Sequence, residues 1–243
     1  MPYILTTCYA GKTIEVSKSF SARYKKKGML RGKIEKVTSE QMLKINERNA
    51  ETNLRRLINT NYKTGDLHIT LTYKKDNRIK PEEAKKELDK YLRPLRKIYK
   101  KNGEELRYII VTEYKNKAIH HHLIVNAVDG VSVKEFDRLW KMGRTRFTYL
   151  DDTGQYAALA HYLIKETRKT FREEGAPSHR RWNPSRNLKK PIIEKEIIEA
   201  KKWKKDPKPL KGYLLEVDTV KEGIHDVTGW PYQFYSMVKV GIG

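Results

Sequence analysis

Three consecutive histidines are the residues of this chain best suited to bind a metal ion. They lie in VTEYKNKAIHHHLIV, residues 111–125, which reads as two strands joined by a tight turn at 116–117. Because side chains alternate between the two faces of a strand, His120 and His122 share one face and His121 points to the other. His121 is therefore expected to be structural, although the run by itself leaves open which of the three histidines bind metal.

Glu113 gives the histidine pair a third candidate ligand. A hairpin centred on the tight turn places Glu113 opposite His120. It places Val111 opposite His122, and residues that lie directly opposite share a face of the sheet. Two imidazoles and one carboxylate leave open positions on a divalent ion, where a phosphate can bind. The sequence thus predicts a site for Mg²⁺ or Mn²⁺. The alternative is that these histidines are ordinary surface or packing residues.

A tyrosine and a lysine on the helical segment QYAALAHYLIKETRK, residues 155–169, form a second candidate group. Tyr162 and Lys165 are three positions apart and so lie on one helix face. A phenol with its ordinary pKa of about 10 is a poor nucleophile, and a nearby cation stabilises the phenolate. Tyr162 is therefore a candidate nucleophile, unless it packs in the core while Lys165 is solvated. Tyr156 lies about 240° round the helix and cannot serve the same phosphate from the same face.

The elements that must position these groups follow from periodicity. Helical spacing predicts helices over 39–58, 81–101 and 154–170, with an apolar stripe over 133–140. Alternation predicts strands over 66–73, 106–114, 119–126 and 144–150. Their order is βαββαβ followed by a helix, which indicates an α+β fold with a ferredoxin-like or RRM-like antiparallel sheet of about five strands. We expect helices on one face of the sheet and an open active-site face on the other.

The chain is expected to divide into three parts. These are an N-terminal extension of short strands and a helix (1–60), the core with the candidate site (61–175), and a basic C-terminal extension packed on or beside the core (176–243). Within the last part, the sequence predicts a charged helix over 192–205 and strands over 212–220 and 231–240.

The charge of the chain indicates a polyanionic partner. Lys and Arg total 52 against 30 Asp and Glu, which gives a net charge of +22. No apolar run is long enough to span a bilayer, and the start lacks the pattern of a secretory signal, so no membrane partner is expected. The lone Cys8 excludes an internal disulfide and a cysteine-rich zinc site. We therefore expect a bacterial cytoplasmic protein that binds nucleic acid.

Two basic runs, 85–101 and 179–190, are the candidate phosphate contacts. Trp182 is a candidate for stacking on an unpaired base, or alternatively a structural contact. The predicted DNA-contacting side chains are His68, Thr70 and Thr72 on the first core strand and Arg180, Arg181, Trp182 and Arg186 in the basic loop.

Three short segments stand in an order and spacing that resemble a known family. HITLTY (68–73), IHHHLIV (119–125) and YLIK (162–165) resemble motifs 1, 2 and 3 of the HUH rolling-circle replication initiators, or Rep proteins. The nearest likeness is to the phage- and plasmid-type replication-associated proteins of bacteria, over roughly 60–170. RRWNPSRNL (180–188) is similar to the segment that follows the tyrosine helix in that family.

The resemblance implies a five-stranded antiparallel sheet that carries Mg²⁺ or Mn²⁺ on its open face. His120 and His122 would bind the ion, with Glu113 as the additional polar ligand. The sequence departs from the family at His121, because the middle residue of motif 2 is usually apolar.

The resemblance also implies a nicking reaction on single-stranded origin DNA. Tyr162 would attack the scissile phosphate, leaving a 5′-phosphotyrosine and a free 3′-hydroxyl that primes replication, and Lys165 matches the lysine of motif 3. No helicase-type phosphate loop follows in the sequence, so a host helicase and polymerase are the expected partners.

Two alternatives remain open at this point. A relaxase or a single-tyrosine transposase would share the chemistry of the site. A non-enzymatic nucleic-acid-binding protein with a ferredoxin-like sheet would explain the charge. It would give no reason for Glu113, His120 and His122 to meet, and the strands show no evident pair of exposed aromatic side chains for base stacking. The sequence leaves the oligomeric state open.

Overall fold

A computed structural model of the protein describes residues 3–20, 38–75, 79–115, 118–167, 180–198, 206–225 and 229–240. The chain forms two compact units, which we name the terminal unit (Met1–Thr60 and Lys190–Gly243) and the central unit (Asn61–Lys189). The two segments treated as separate extensions in the sequence analysis therefore contribute to one unit.

The described residues form ten strands and four helices. In chain order they are β1 (Tyr3–Ala10), β2 (Thr13–Phe20), α1 (Ser39–Asn61), β3 (Leu67–Thr72), α2 (Pro81–Lys101), β4 (Tyr108–Lys115), β5 (Ala118–Val125), α3 (Val133–Leu139), β6 (Thr145–Tyr149), α4 (Ala157–Glu166), β7 (Asn183–Pro184), β8 (Ile192–Ile198), β9 (Tyr213–Ile224) and β10 (Pro231–Lys239). No helix among the described residues has the length and apolar character that a membrane span requires.

The terminal unit contains a five-stranded antiparallel sheet in the order β8-β1-β2-β10-β9. Helix α1 is attached to this sheet through the buried carboxylate of Glu15, which accepts hydrogen bonds from Arg55 Nε and Arg56 Nε at 2.7 Å each. Its start is the predicted capping box, in which the Thr38 N–H donates to Gln41 Oε1 and the Gln41 N–H donates to Thr38 Oγ1. The predicted helix at this position is confirmed.

The charged helix predicted over 192–205 is wrong, because residues 192–198 form strand β8. This strand pairs with β1 along its length, from Ile192 opposite Tyr9 to Ile198 opposite Tyr3. Branched isoleucine side chains favour a strand. Its pairing partner, β1, lies at the other end of the chain, so a local sequence pattern carries no information about this pairing. Residues 199–205 lie outside the described part of the chain.

The central unit contains the second antiparallel sheet, in the order β6-β3-β5-β4-β7. The α+β class and the antiparallel sheet predicted from the sequence are confirmed. The expected order of elements also holds here, from β3 through α2, β4, β5, α3 and β6 to α4.

The two faces of the central sheet differ in what covers them. The core face packs against α2 and α3 in a cluster that includes Ile69, Leu123, Leu95 and Phe136. The opposite face, which we name the site face, carries Glu113 and the histidines that share its side of the sheet. Helix α4 contacts the site face through Tyr162, so that face is partly lined by a helix.

Candidate functional site

The candidate site is built by the pairing of three neighbouring strands. In the β4–β5 hairpin, Glu113 lies opposite His120 and Val111 lies opposite His122, as the sequence predicted. Strand β3 continues the same face, with Thr70 opposite His122. The tight turn expected at 116–117 lies outside the described residues. The pairing of β4 with β5 shows the register on either side of it.

His122 is the centre of this site. Its Nδ1 lies 3.2 Å from His68 Nε2 and 3.4 Å from Thr70 Oγ1. Its Nε2 is buried, has no hydrogen-bond partner among the described residues, and lies 3.7 Å from Glu113 Oε2. Burial, followed by the charges of His68 and His120, lowers the pKa of His122 to about 3. The ring is therefore neutral at physiological pH, which is the form that binds a metal ion.

His122 Nε2 and Glu113 Oε2 are separated by a distance intermediate between the two spacings of ligand atoms on an octahedral ion. Two ligand atoms at about 2.1 Å from an octahedral ion are about 3 Å apart when adjacent and about 4.2 Å apart when opposite. The observed 3.7 Å lies between these values. A buried nitrogen without a hydrogen bond, next to a carboxylate, is the kind of atom whose missing partner a cation supplies.

The three predicted ligands do not form a complete cluster. Within the described ranges, no group of three or more His, Cys, Asp or Glu side chains stands in an arrangement that could hold a metal ion. The structure brings Glu113 and His122 together, and it places the half-buried His120 opposite Glu113 on the same face.

His121 points into the core, as the alternation of the strand predicted. Its Nε2 lies 2.9 Å from the Tyr73 hydroxyl and its Nδ1 lies 2.9 Å from Thr112 Oγ1. The ring also meets Trp140 edge-on, with the ring centroids 6.1 Å apart. Burial lowers the pKa of His121 to about 3. Both ring nitrogens are engaged inside the core, which leaves none for a metal ion.

Tyr162 projects from α4 onto the site face. Its ring stands edge-on to that of His122, with the centroids 5.4 Å apart and the planes at 88°. The side chain remains 41% exposed, so a substrate can reach it. Burial raises the pKa of Tyr162, the charges of Glu166 and Glu113 raise it further, and the charge of Arg146 lowers it.

The other tyrosine of this region has a structural environment. Tyr156 is 4% exposed, and its hydroxyl donates a hydrogen bond of 3.1 Å to the carbonyl oxygen of Asp151. Burial and then the charge of Asp151 raise the pKa of Tyr156 to about 12. Of the two tyrosines, Tyr162 is the one available at the site.

Arg146 is a site residue that the sequence analysis overlooked. It lies on β6 directly opposite Thr70, which places its Cβ on the site face. Its charge lowers the pKa of both His68 and Tyr162. Lys165, the cation chosen from the sequence, is exposed on α4. Arg146 lies in RTRFTYL, whose alternation predicts a strand, but it belongs to none of the three motifs.

The three residues of β3 predicted to contact DNA have partners within the protein. His68 and Thr70 both approach His122 Nδ1. Burial, followed by the charge of Arg146, lowers the pKa of His68 to about 4. Thr72 Oγ1 bonds to the backbone of Arg144, at 3.1 Å to its carbonyl oxygen and 3.2 Å from its N–H. These contacts position the site face.

The two basic runs differ in their relation to the site. Helix α2 packs on the core face, so its exposed cations, such as Arg93 and Lys97, lie on the opposite side of the sheet from Glu113. The loop after residue 180 instead runs beside β4, the strand that carries Glu113, because β7 pairs with Ile109 and Ile110. Arg180 and Arg186 are exposed there, whereas Arg181 and Trp182 are half-buried. Residue 179 lies outside the described part.

Residues 66–170 match the family model of the replication-associated protein ORF2/G2P. This part of the chain is similar to replication-associated proteins. The matched range contains β3, the β4–β5 hairpin and α4, although it is less than half of the 243 residues. Comparisons with curated proteins and with solved structures found no match. The family match supports a role in DNA replication, as the resemblance of the three motifs suggested.

We expect His121→Leu to destabilise the protein without affecting metal binding. The substitution removes two hydrogen bonds to the partly buried hydroxyls of Tyr73 and Thr112, each of which contributes about 0.5–1.5 kcal/mol. Urea denaturation measures the loss, and titration calorimetry with Mn²⁺ measures the affinity. The matched control is the exposed His161, whose replacement by leucine should change stability by no more than about 0.5 kcal/mol. Loss of Mn²⁺ affinity in folded His121→Leu would contradict the assignment of His121 to the core face.

Proposed function

We propose that the protein is a metal-dependent endonuclease and strand transferase that nicks and rejoins single-stranded DNA at a replication origin. The observation that carries this proposal is the contact between Tyr162 and His122, whose unpartnered Nε2 faces Glu113. A phenol ring, an imidazole nitrogen without a hydrogen-bond partner among the described residues and a carboxylate thus occur together within the range that matches replication-associated proteins.

Glu113 and His122 are the proposed ligands of Mg²⁺ or Mn²⁺, with His120 as the third. His120 has the position for this role, because it is opposite Glu113 in the hairpin. A bound divalent cation would draw charge from the scissile phosphate and fix its orientation. The neutral state of His122, which follows from its burial, keeps it competent as a ligand.

Tyr162 is the proposed nucleophile. Its phenol oxygen forms a bond to the phosphorus and the bond from phosphorus to the 3′ oxygen breaks. The phenol proton leaves to solvent, and the departing oxygen takes up a proton to become a free 3′-hydroxyl. The 5′ end stays attached as a phosphotyrosine, so the energy of the phosphodiester bond is retained and the strand can be rejoined without ATP.

Positive side chains should assist this step, since charge accumulates on the phosphate oxygens in the transition state. Arg146 lies on the site face beside Thr70, and Lys165 lies one helical turn from Tyr162. We propose that Arg146 contacts the attacked phosphate and that Lys165 contacts the same region of the DNA strand.

The proposed partners follow from the chemistry and the charge. Single-stranded DNA and the duplex origin are the substrates, and a host helicase and polymerase would unwind and copy the template. The bacterial cytoplasm is the proposed location. A relaxase or a single-tyrosine transposase would use the same site on a different DNA, so the DNA that is cut distinguishes them.

Removing the metal ligands should abolish both Mn²⁺ binding and nicking. His122→Ala removes the buried Nε2, and Glu113→Gln removes the charge 3.7 Å from it. Calorimetry with Mn²⁺ and cleavage of single-stranded oligonucleotides tiled across the replicon provide the measurements, and EDTA should stop cleavage by the unmodified protein. His225→Ala, in the terminal unit, is the control and should behave as wild type. Undiminished cleavage in EDTA would rule out a metal mechanism.

Tyr162→Phe should fold and bind DNA but form no nick, because it lacks only the attacking oxygen. The decisive measurement uses an oligonucleotide that traps the covalent intermediate, followed by digestion and mapping of the modified peptide, which should contain Tyr162. Tyr156→Phe is the matched control and should lose about 0.5–1.5 kcal/mol of stability while still forming the adduct. Cleavage without any adduct would point to an activated water instead of a tyrosine.

Arg146→Gln should slow single-turnover nicking by about 100-fold, as does loss of one charge-stabilising donor in other enzymes. Lys165→Gln should have a smaller effect, because the charge of Arg146 acts on the pKa of Tyr162, whereas that of Lys165 is not among the causes of its shift. Arg93→Gln, on the outer surface of α2, is the control for loss of a single positive charge. A larger defect in Lys165→Gln than in Arg146→Gln would reverse the two assignments.

A further inference from the structure

His68 makes a direct contact with His122 across the site face. Its Nε2 lies 3.2 Å from His122 Nδ1, and the two rings stack with their centroids 5.4 Å apart and their planes at 30°. The residue opposite His68 on β5 is Ile124, so the contact is a diagonal one along the face. Two imidazoles on neighbouring strands are thus joined nitrogen to nitrogen.

The direction of this hydrogen bond determines what the rest of the His122 ring can do. A neutral imidazole has one N–H donor and one lone-pair acceptor. If His122 Nδ1 carries the proton and donates to His68 Nε2, then His122 Nε2 presents its lone pair beside Glu113. In the opposite arrangement, His122 Nε2 would carry an N–H in a buried position 3.7 Å from Glu113 Oε2, which is too long for a hydrogen bond.

We propose that His68 is a positioning residue, which accepts the Nδ1–H of His122 and thereby directs the Nε2 lone pair to a divalent cation beside Glu113. Metal-binding histidines commonly donate their second ring N–H to a fixed acceptor, which sets the tautomer and the orientation of the ring. The proposal rests on the proposed function for the presence of a metal, but not on the nicking reaction.

The acceptor in this site is a neutral imidazole, where many metal sites use a carboxylate. Glu113 then remains the single carboxylate among the described contacts of the His122 ring. Thr70 Oγ1 is the second group near His122 Nδ1, at 3.4 Å. Because this is close to the limit of a hydrogen bond, we assign the principal role to His68.

This role differs from the one that the sequence indicated for His68, which was a DNA contact. The two roles separate experimentally, because a DNA contact affects affinity for the strand and a positioning residue affects affinity for the ion. His68→Phe keeps a flat ring but removes the acceptor nitrogen. His68→Gln keeps an acceptor oxygen and should partly restore the wild-type properties. His225→Phe controls for the loss of a histidine from the chain.

The first measurement is the tautomer of His122 in the metal-free, full-length protein, by ¹⁵N NMR with labelled histidine and assignment through His122→Ala. Wild type should show the proton on Nδ1, and His68→Phe should show a mixture of both tautomers. The second is Mn²⁺ affinity by calorimetry, which should fall by about 10- to 100-fold in His68→Phe, recover in part in His68→Gln, and stay unchanged in His225→Phe. Affinity for single-stranded DNA should stay within about two-fold throughout.

Two results would overturn the proposal. One is a wild-type His122 with its proton on Nε2. The other is a His68→Phe protein that is folded by circular dichroism, binds Mn²⁺ as wild type does, and loses DNA affinity, which would make His68 a DNA contact. If wild type binds no Mn²⁺, the proposed metal mechanism fails, and the tautomer measurement still decides whether His68 fixes the ring of His122.

Discussion

The antiparallel register of β3, β5 and β4 is the constraint on which the candidate site depends. The side-chain period of a strand is two residues, so a slip of one residue would move every side chain to the opposite face. The observed register places His122 among polar partners and His121 in the core. It is secured from the core side, where Leu123 and Val125 are fully buried and His121 is bonded through both ring nitrogens.

Within that register, burial determines the chemistry of the histidines. Removal from water disfavours the charged form, and neighbouring imidazoles add repulsion, so His122 stays neutral. One of its nitrogens is engaged by His68 and the other faces Glu113 without a hydrogen bond. The proposed cation would therefore bind at Nε2, the ring nitrogen that has no hydrogen-bond partner among the described residues.

The tyrosine approaches the same ring from a separate element. Helix α4 packs through Ala160, Leu163 and Ile164, which are buried, and this leaves Tyr162 at the margin with its ring against His122. The strands therefore fix the proposed ligands and the helix fixes the proposed nucleophile.

The terminal unit differs from the central unit in how its sheet is assembled. Its sheet joins strands from both ends of the chain, and neither end alone contains it.

The sequence by itself determined the elements from β3 to α4 and the relation between Glu113, His120 and His122, because a short hairpin is a local structure whose register follows from its turn. The capping box of α1 and the orientation of His121 were predictable for the same reason. The sequence did not predict β7, which forms within the basic loop.

Contacts between distant segments were decided only by the tertiary structure. Strand β8 was mistaken for a helix because its partner, β1, lies at the far end of the sequence. The contact of His68 with His122 and the place of Arg146 opposite Thr70 depend on which strands become neighbours in the sheet. Pairing between strands far apart in the chain is selected by the packing of the whole sheet, and no local pattern of residues contains that information.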